Sequence, residues 1–231
     1  MAVSSSIDID GLAVPIRLKR SGLASAMSLR LDQRDGSVIL VLPDHVPQAK
    51  GLAFVRSKAD WLRERIAALP QQIPFHAGHR LPLLGVEHEL RPAPGQRRGV
   101  WAEDGVIHVC GQPEHFARRV GDWLKLKARD EIASRAGPMA ETVERPLGRI
   151  TLRDARTRWG SCTSRGDLAF SWRLILAPAE VLTYVVAHEV AHLVELNHSP
   201  AFWQVVERLS PHSKPARAWL KRHGARLHRY G

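Results

Sequence analysis

The feature that most constrains this chain is an HExxH motif followed six residues later by a third histidine. The motif consists of His188, Glu189 and His192, and the third histidine is His198. Residues four apart share one face of an α-helix, so His188 and His192 can present two imidazoles to one ion, with Glu189 beside them. The sequence therefore predicts a metal centre with His188, His192 and His198 as ligands and Glu189 within reach of a water.

The surroundings of the motif favour a metal centre over coincidence. Histidine supplies 12 of the 231 residues, and a chain of this composition is expected to contain the motif with the third histidine about 0.002 times. Residues 181–194 are apolar on nearly every side of the predicted helix. The His and Glu side chains should therefore be buried, and buried groups of this kind need a partner such as a metal.

The turn after the motif differs from that of metzincin proteases. Glu195 stands where metzincins have glycine, and no methionine follows the motif. We expect Leu196-Asn197 to reverse the chain, because Asn tolerates the left-handed conformation that ends helices. Ser199 and Pro200 then predict the N-cap and the first residue of the next helix.

Periodicity and turn residues give the remaining elements. Strands are expected between residues 7 and 42, with hairpin turns at Asp10-Gly11 and Asp35-Gly36. A helix is expected over residues 48–69, and a second one over 113–136, ended by Gly137-Pro138. Further strands are expected near residues 79–91 and 99–110, and at 150–156 and 168–175 on either side of a turn at Trp159-Gly160-Ser161. These elements predict an α+β protein with two domains, a β-rich region over 1–111 and a metal-binding domain over 112–231.

Four segments carry a resemblance to a known family. They are RTRWGSC at 156–162, WRLILAP at 172–178, YVVAHE at 184–189 and NHSPAFW at 197–203. In this order they resemble the YgjP-like metallopeptidase domain, which is related to SprT-like zinc proteases and is grouped loosely with the M48 peptidases. Weaker matches at residues 28–31, 41–43 and 58–62 extend the resemblance towards the amino end.

The resemblance implies a zincin-like catalytic region, with the HExxH helix beside an antiparallel sheet and an extended peptide on its border strand. Zn²⁺ would be held by the three histidines, and Glu189 would act as general base. The expected substrate is a peptide or an unfolded protein. The resemblance also implies an alternative, a metal-dependent nucleoside triphosphate (UTP) pyrophosphatase. A metal-stabilised module without catalysis is a third class, which Glu189 beside two histidines disfavours.

Several other residues are candidates for supporting roles. Arg158, Arg173 and Tyr184 are candidates for stabilising an oxyanion, and Arg156 joins the two arginines on the expected cleft strands. Glu195 is a candidate for orienting a histidine ring. Ser161 and Cys162 are interpreted as turn and packing residues rather than nucleophiles, and Trp159, Trp172 and Trp203 as core aromatics.

The net charge is +11, but the basic residues are spread along the chain. This distribution does not favour a nucleic acid as the main partner. The densest basic segment is at the carboxyl end, where one acidic residue, Glu207, accompanies Arg208, Lys214, Arg217, Lys221, Arg222, Arg226 and Arg229. The two cysteines lack a metal or disulfide spacing, and no signal peptide or apolar run of membrane-spanning length is present, so a cytoplasmic protein without membrane insertion is expected.

Overall fold

The computed structural model describes residues 4–9, 12–32, 34–96, 98–155 and 157–231. Helices and small sheets occur together in one chain, which confirms the α+β class. The chain forms two compact units, Met1–Gln72 and Ile73–Gly231. The boundary expected between residues 111 and 112, which separates a β-rich region from a metal-binding domain, stays a prediction.

The first unit is a four-stranded sheet with two short helices. Its core consists of Val14, Ile16, Val38, Leu40, Leu42, Val55 and Leu62. The elements are β1 (Ser4–Ile9), β2 (Leu12–Arg20), β3 (Ser28–Leu31), β4 (Val38–Leu42), α1 (Gln48–Arg56) and α2 (Ala59–Ala67), with strand order β1-β2-β4-β3.

The sequence predictions for this unit need one correction. The single helix expected over 48–69 is two helices, because Lys58 leaves the helical conformation with φ −112° and ψ 19°. Ser57 ends α1, and its hydroxyl donates to the Phe54 carbonyl at 2.9 Å. The turn at Asp35-Gly36 is confirmed between antiparallel β3 and β4, and Gly36 has φ +73°. Asp10-Gly11 lies outside the described residues.

The second unit begins with another four-stranded sheet and a long helix. The elements are β5 (Arg80–Leu83), β6 (Val86–Pro92), β7 (Val100–Glu103), β8 (Val106–Val109) and α3 (Phe116–Thr142), with strand order β5-β6-β8-β7. The strands match the expected positions. The helix continues past Gly137-Pro138, contrary to the prediction, because Ala136 and Ala140 extend its buried face on both sides of Pro138. That burial offsets the one backbone hydrogen bond that proline cannot donate.

A three-stranded sheet precedes the HExxH helix. It contains β9 (Ile150–Arg153), β10 (Gly160–Cys162) and β11 (Leu168–Ser171), in the order β10-β11-β9. The sheet is mixed rather than antiparallel as expected, because β11 pairs antiparallel with β10 but parallel with β9. Strand β10 begins within the turn that was expected at residues 159–161. The strand expected to reach Ile175 ends at Ser171, and residues 172–176 form a buried 3₁₀ helix.

Three helices complete the second unit. They are α4 (Ala179–Ala191), α5 (Pro200–Leu209) and α6 (Ser213–Leu227), and α4 contacts α3, α5, α6 and β10. The unit closes on itself, because Ile73 forms a parallel β-bridge with Tyr230. Among the described residues, every helix is too short or too polar to cross a membrane.

Candidate metal centre

The structure brings the three predicted histidines together at the end of α4. His188 lies in the last turn of this helix, and His192 is its C-cap residue. His198 lies just before α5, and one ring nitrogen from each histidine lies within 4.8 Å of the others. The Nε2 atoms of His188 and His198 are 3.2 Å apart. One small ion can therefore contact all three rings.

The loop that returns His198 to this cluster does not use a left-handed Asn197. Among the described residues, the non-glycine positions with positive φ are Leu84, Asp104 and Glu144. Instead, the Asn197 side-chain oxygen accepts from the Ser199 N–H at 3.0 Å, and the Ser199 hydroxyl accepts from the Phe202 N–H at 3.2 Å. Ser199 is thus the N-cap of α5, followed by Pro200, as predicted.

Phe202 supports the cluster from α5. Its ring is fully buried, and its centroid lies 4.9, 4.6 and 4.8 Å from the ring centroids of His188, His192 and His198. A rigid aromatic ring in contact with all three imidazoles restricts their rotation. No local pattern indicates this role, because Phe202 follows the motif as an ordinary apolar residue of an amphipathic helix.

The histidines have electronic states suited to metal binding. Burial, assisted by the neighbouring His192 and His198 rings and by Arg217, lowers the pKa of His188 to about 4. Burial also lowers the pKa of His192. The His192 Nδ1 atom donates to the Glu195 main-chain carbonyl at 3.0 Å, which leaves a lone pair on Nε2. Glu195 does orient a histidine, but through its backbone rather than its carboxylate.

Glu189 is buried beside the cluster, with 5% of its surface exposed. Burial raises the pKa of its carboxyl to about 7, although the positive charge of Arg158 opposes the rise. A glycine at position 160 makes this packing possible. A Cβ atom there would lie 2.5 Å from Glu189 Cγ and 2.7 Å from Cδ. The Gly of the RWGSC segment is therefore needed for the approach of Glu189 to β10.

The candidate oxyanion residues have different surroundings. Arg173 is 3% exposed and donates to Asp154, with Nε–Oδ1 at 2.8 Å, and to the main-chain carbonyls of Leu227 and Tyr230. These hydrogen bonds hold the end of α6, so the Arg173 guanidinium has a structural role, and its role towards an oxyanion stays a prediction. Tyr184 is buried, with its ring 6.0 Å from that of His188. Arg156 lies outside the described residues.

Arg217 is a charged residue near the centre that the sequence interpretation treated only as part of a basic segment. Its guanidinium carbon lies 5.1 Å from the centre of the Trp203 ring, and that ring lies 5.9 Å from His188 and 6.0 Å from His198. Burial lowers the pKa of His188, and the charge of Arg217 adds to that shift; burial raises the pKa of Tyr184, and the charge of Arg217 opposes that rise. Nothing local marks it, because its position depends on how α6 packs against α4.

The Cys162 thiol shows no activation as a nucleophile. Burial, Glu189 and Asp167 raise the pKa of the Cys162 thiol, and its sulfur donates to the Thr163 carbonyl at 3.3 Å. A thiol with a raised pKa is a poor nucleophile. The interpretation of Cys162 as a packing residue is consistent with this environment, and that of Ser161 stays a prediction.

Comparison with known proteins gives one match. A family model described as "YgjP-like, metallopeptidase domain" matches residues 26–223. No curated protein and no solved structure matches the chain.

Proposed function

Because the chain belongs to the YgjP-like metallopeptidase family, we propose that it is a zinc-dependent peptidase with Glu189 as its general base. The observation that carries this proposal is the convergence of His188, His192 and His198, with their ring nitrogens within 4.8 Å of one another. Its proposed substrate is a peptide or an unfolded protein. Two free cysteines, Cys110 and Cys162, suit the cytoplasm that we propose as its location.

The donor set fits zinc. Two nitrogens bound to tetrahedral zinc at about 2.0–2.1 Å lie about 3.3 Å apart, and the His188 and His198 Nε2 atoms are 3.2 Å apart. Three neutral histidines also leave a fourth coordination position, as in catalytic zinc sites. When bound, zinc would supply Lewis acidity that polarises the scissile carbonyl and makes the attacking water more acidic.

Glu189 is suited to moving the proton. Its carboxyl has a pKa of about 7, near the value that makes a side chain an effective general base at neutral pH. One carboxylate oxygen takes a proton from the attacking water and then gives it to the amine that leaves. Gly160 keeps this carboxylate close to β10, so the proton acceptor and a peptide along that strand lie side by side.

Strand β10 offers a path for an extended peptide. It is an edge of its sheet. The Trp159 carbonyl accepts from the Ser171 N–H at 2.8 Å, and the Thr163 N–H donates to the Asp167 carbonyl at 2.9 Å. Alternation along an antiparallel pair then directs the backbone groups of Gly160 and Cys162 away from β11. A peptide chain could pair with these groups by adding a strand.

A UTP pyrophosphatase is the second candidate. The charge of Arg158 opposes the rise in the pKa of Glu189, and the charge of Arg217 adds to the lowering of the pKa of His188. Among the described residues, neither of these two arginines has an acidic side chain at ion-pair distance. Two such cations near a metal centre suit a triphosphate. The edge strand favours the peptide, since a nucleotide has no use for its backbone groups.

Zinc-loaded protein should slowly cleave an unfolded protein such as casein, and a chelator should abolish the cleavage. Glu189→Gln should retain zinc but reduce turnover by about 100- to 10,000-fold. Glu195→Gln is the matched control, because Glu195 contributes its backbone carbonyl, which the substitution keeps. His198→Ala should lose zinc in elemental analysis. Pyrophosphate release from UTP that requires Glu189, without any proteolysis, would replace the peptidase with the second candidate.

A further inference from the structure

Strand β7 is an edge of its four-stranded sheet, paired on one side with β8. The Cys110 N–H donates to the Gly99 carbonyl at 2.9 Å, so the backbone of Gly99 faces β8. Backbone groups alternate between the two sides of an antiparallel strand. The N–H and C=O groups of Val100 and Ala102 therefore point away from β8, and no other backbone group in the described part of the chain pairs with them. This free edge can accept a further strand.

A groove lies between this edge and α3. Two cavities of about 370 and 300 Å³ form it, and both are lined by Val100 on β7 and Trp123 on α3. The side chains of Val100 and Ala102 lie on the core side of the sheet, because their register partners Val109 and Ile107 are buried. A strand paired with β7 would lie one strand spacing away, about 4.8 Å, and every second side chain would face the groove.

Part of the groove lining is apolar. In the larger cavity Trp123 is nearly buried, whereas Leu126, one helical turn further along α3, is 58% exposed. Leu83, Leu84 and Ile175 line the smaller cavity. An apolar side chain that entered the groove would remove this surface from water, which is favourable.

The groove also carries positive charge that the protein itself leaves unbalanced. Its lining contains Arg98, Arg119 and Lys127, and among the described residues none of the three has an acidic side chain at ion-pair distance. The two acidic residues of the lining, Asp122 and Glu131, are each paired with basic residues of α3. The groove is therefore complementary to an acidic partner.

The cations lie on both sides of the groove. The guanidinium carbon of Arg98 is 5.2 Å from the centre of the Trp101 ring on β7, and the Lys127 Nζ atom is 5.9 Å from the centre of the Trp123 ring on α3. Positive charge beside an edge strand opposes its pairing with a basic strand. A second copy of β7 would bring the same cations, so like charges disfavour pairing between two copies of this chain.

We propose that the groove between β7 and α3 is a docking site for an extended acidic peptide that adds a strand to β7. The side chains that face α3 are apolar and acidic: the apolar ones cover Leu126 and its neighbours, and the carboxylates pair with Arg119 and Lys127. A single-stranded nucleic acid matches the charge but has no N–H and C=O groups at strand spacing, so the free backbone of β7 favours a peptide. This binding involves no residue of the metal centre and goes beyond the proposed peptidase function.

The first test measures peptide binding by fluorescence anisotropy, with the Glu189→Gln variant of the full chain to prevent cleavage. The labelled probe has Thr at every second position and alternates Val and Glu between them. Its Kd should be about tenfold lower than that of the same peptide with Gln in place of Glu, and a peptide with Lys there should bind more weakly still. Equal affinities for the three peptides would overturn the proposal.

A pair of charge reversals on α3 locates the site. Lys127→Glu should raise the Kd of the Glu peptide about tenfold, because it replaces an attraction by a repulsion. Arg129→Glu is the matched control: Arg129 is also exposed, but it lies outside the groove lining and on another side of the helix. It should leave the Kd unchanged. Equal effects of the two reversals would contradict docking in this groove.

Methylation of the peptide backbone tests the added strand without altering the protein. One version of the Glu peptide carries N-methyl groups on every Thr, and the other carries them on every Val and Glu. Neighbouring residues of a strand direct their N–H groups to opposite edges, so only one set can donate to β7. One version should lose binding and the other should bind like the parent peptide. Equal behaviour of the two versions would overturn strand addition.

Amide hydrogen exchange, followed by NMR, reports on the strand itself. Bound Glu peptide should slow the exchange of the Val100 and Ala102 amides, whereas the Trp101 amide, which faces β8, should change little. Unchanged exchange at Val100 and Ala102 in the saturated complex would place the peptide elsewhere and refute the proposal. If a thymidine oligonucleotide binds in a Lys127-dependent manner and the Glu peptide does not, the groove takes nucleic acid and the peptide site is overturned. None of these measurements requires peptide cleavage, so their outcome is separate from that of the peptidase assay.

Discussion

Replacing Gly160 by alanine should test how closely the general base depends on β10. The added methyl group would lie 2.5 Å from Glu189 Cγ and 2.7 Å from Cδ, whereas carbon atoms in contact are normally about 3.5–4.0 Å apart. Glu189 is 5% exposed, so little open space is available for its displacement. Either its carboxylate rotates or α4 and β10 separate, by about 1 Å in each case.

Both routes have a predictable cost. Overpacking of this kind lowers the free energy of unfolding by about 1–3 kcal/mol. A displacement of about 1 Å at the reacting groups reduces turnover by about 100-fold. Zinc binding should persist, because the three atoms closest to the added carbon all belong to Glu189 and none to a histidine. The expected variant therefore contains zinc, is less stable and is nearly inactive.

Three measurements on one preparation test this expectation: urea unfolding, zinc content and peptide turnover. Gly121→Ala is the matched control, because a Cβ at that position in α3 would meet its nearest neighbour, Phe75 Cε2, at 3.8 Å, which is an ordinary contact distance. It should be stabilised by about 0.5–1 kcal/mol, since alanine favours a helix over glycine, and should keep its activity. Wild-type turnover and stability in Gly160→Ala would refute the packing of Glu189 against β10.

Further predictions concern charge. In the metal-free folded protein, the pKa of Glu189 is about 7, against an ordinary value of 4.5. Between these two pH values the folded state binds more protons than the unfolded state. The free energy of unfolding of the wild type should therefore fall by about 3 kcal/mol relative to Glu189→Gln as the pH rises from 4.5 to 7. Urea unfolding at each pH measures this difference, and a pH-independent difference would contradict the raised pKa. Arg173→Met should lower the free energy of unfolding by about 3 kcal/mol, because it leaves Asp154 and the carbonyls at the end of α6 without their donor; unchanged thermal and chemical stability would argue against it. Arg217→Ala should lower kcat/KM for peptides by about tenfold at constant zinc content, whereas Lys221→Ala on the same helix should not. Equal effects of the two substitutions would mean that Arg217 contributes only to the overall positive charge of this region.

The part of the centre that could be predicted is the part encoded by local spacing. His188 and His192 are one helical turn apart, and Ser199 with Pro200 sets the start of the next helix, so short-range geometry suffices. The positions of Gly160, Phe202 and Arg217 depend on how β10, α5 and α6 pack against α4. A single sequence contains no period or cap that reports such packing, and the roles of these residues emerge from the three-dimensional structure alone.

The elements show the same limit. The sequence predicts residues 172–175 as the end of a strand, yet they belong to the 3₁₀ helix Trp172–Leu176, in which every residue is buried. A mostly apolar run of this length is too short for its period to distinguish a strand from a helix. Pro138 was predicted to end a helix, but the burial of Ala136 and Ala140 around it outweighs its local preference.

The bridge between Ile73 and Tyr230 gives the second unit an unusual freedom of connectivity. Because its two ends are neighbours, a short linker could join them, and folds with adjacent termini tolerate circular permutation. The exposed turn at residues 94–96 offers another point at which to cut it. A permuted unit opened there would keep residues 158–217 uninterrupted, so the order of elements along the chain could be exchanged while the histidine cluster keeps all of its neighbours.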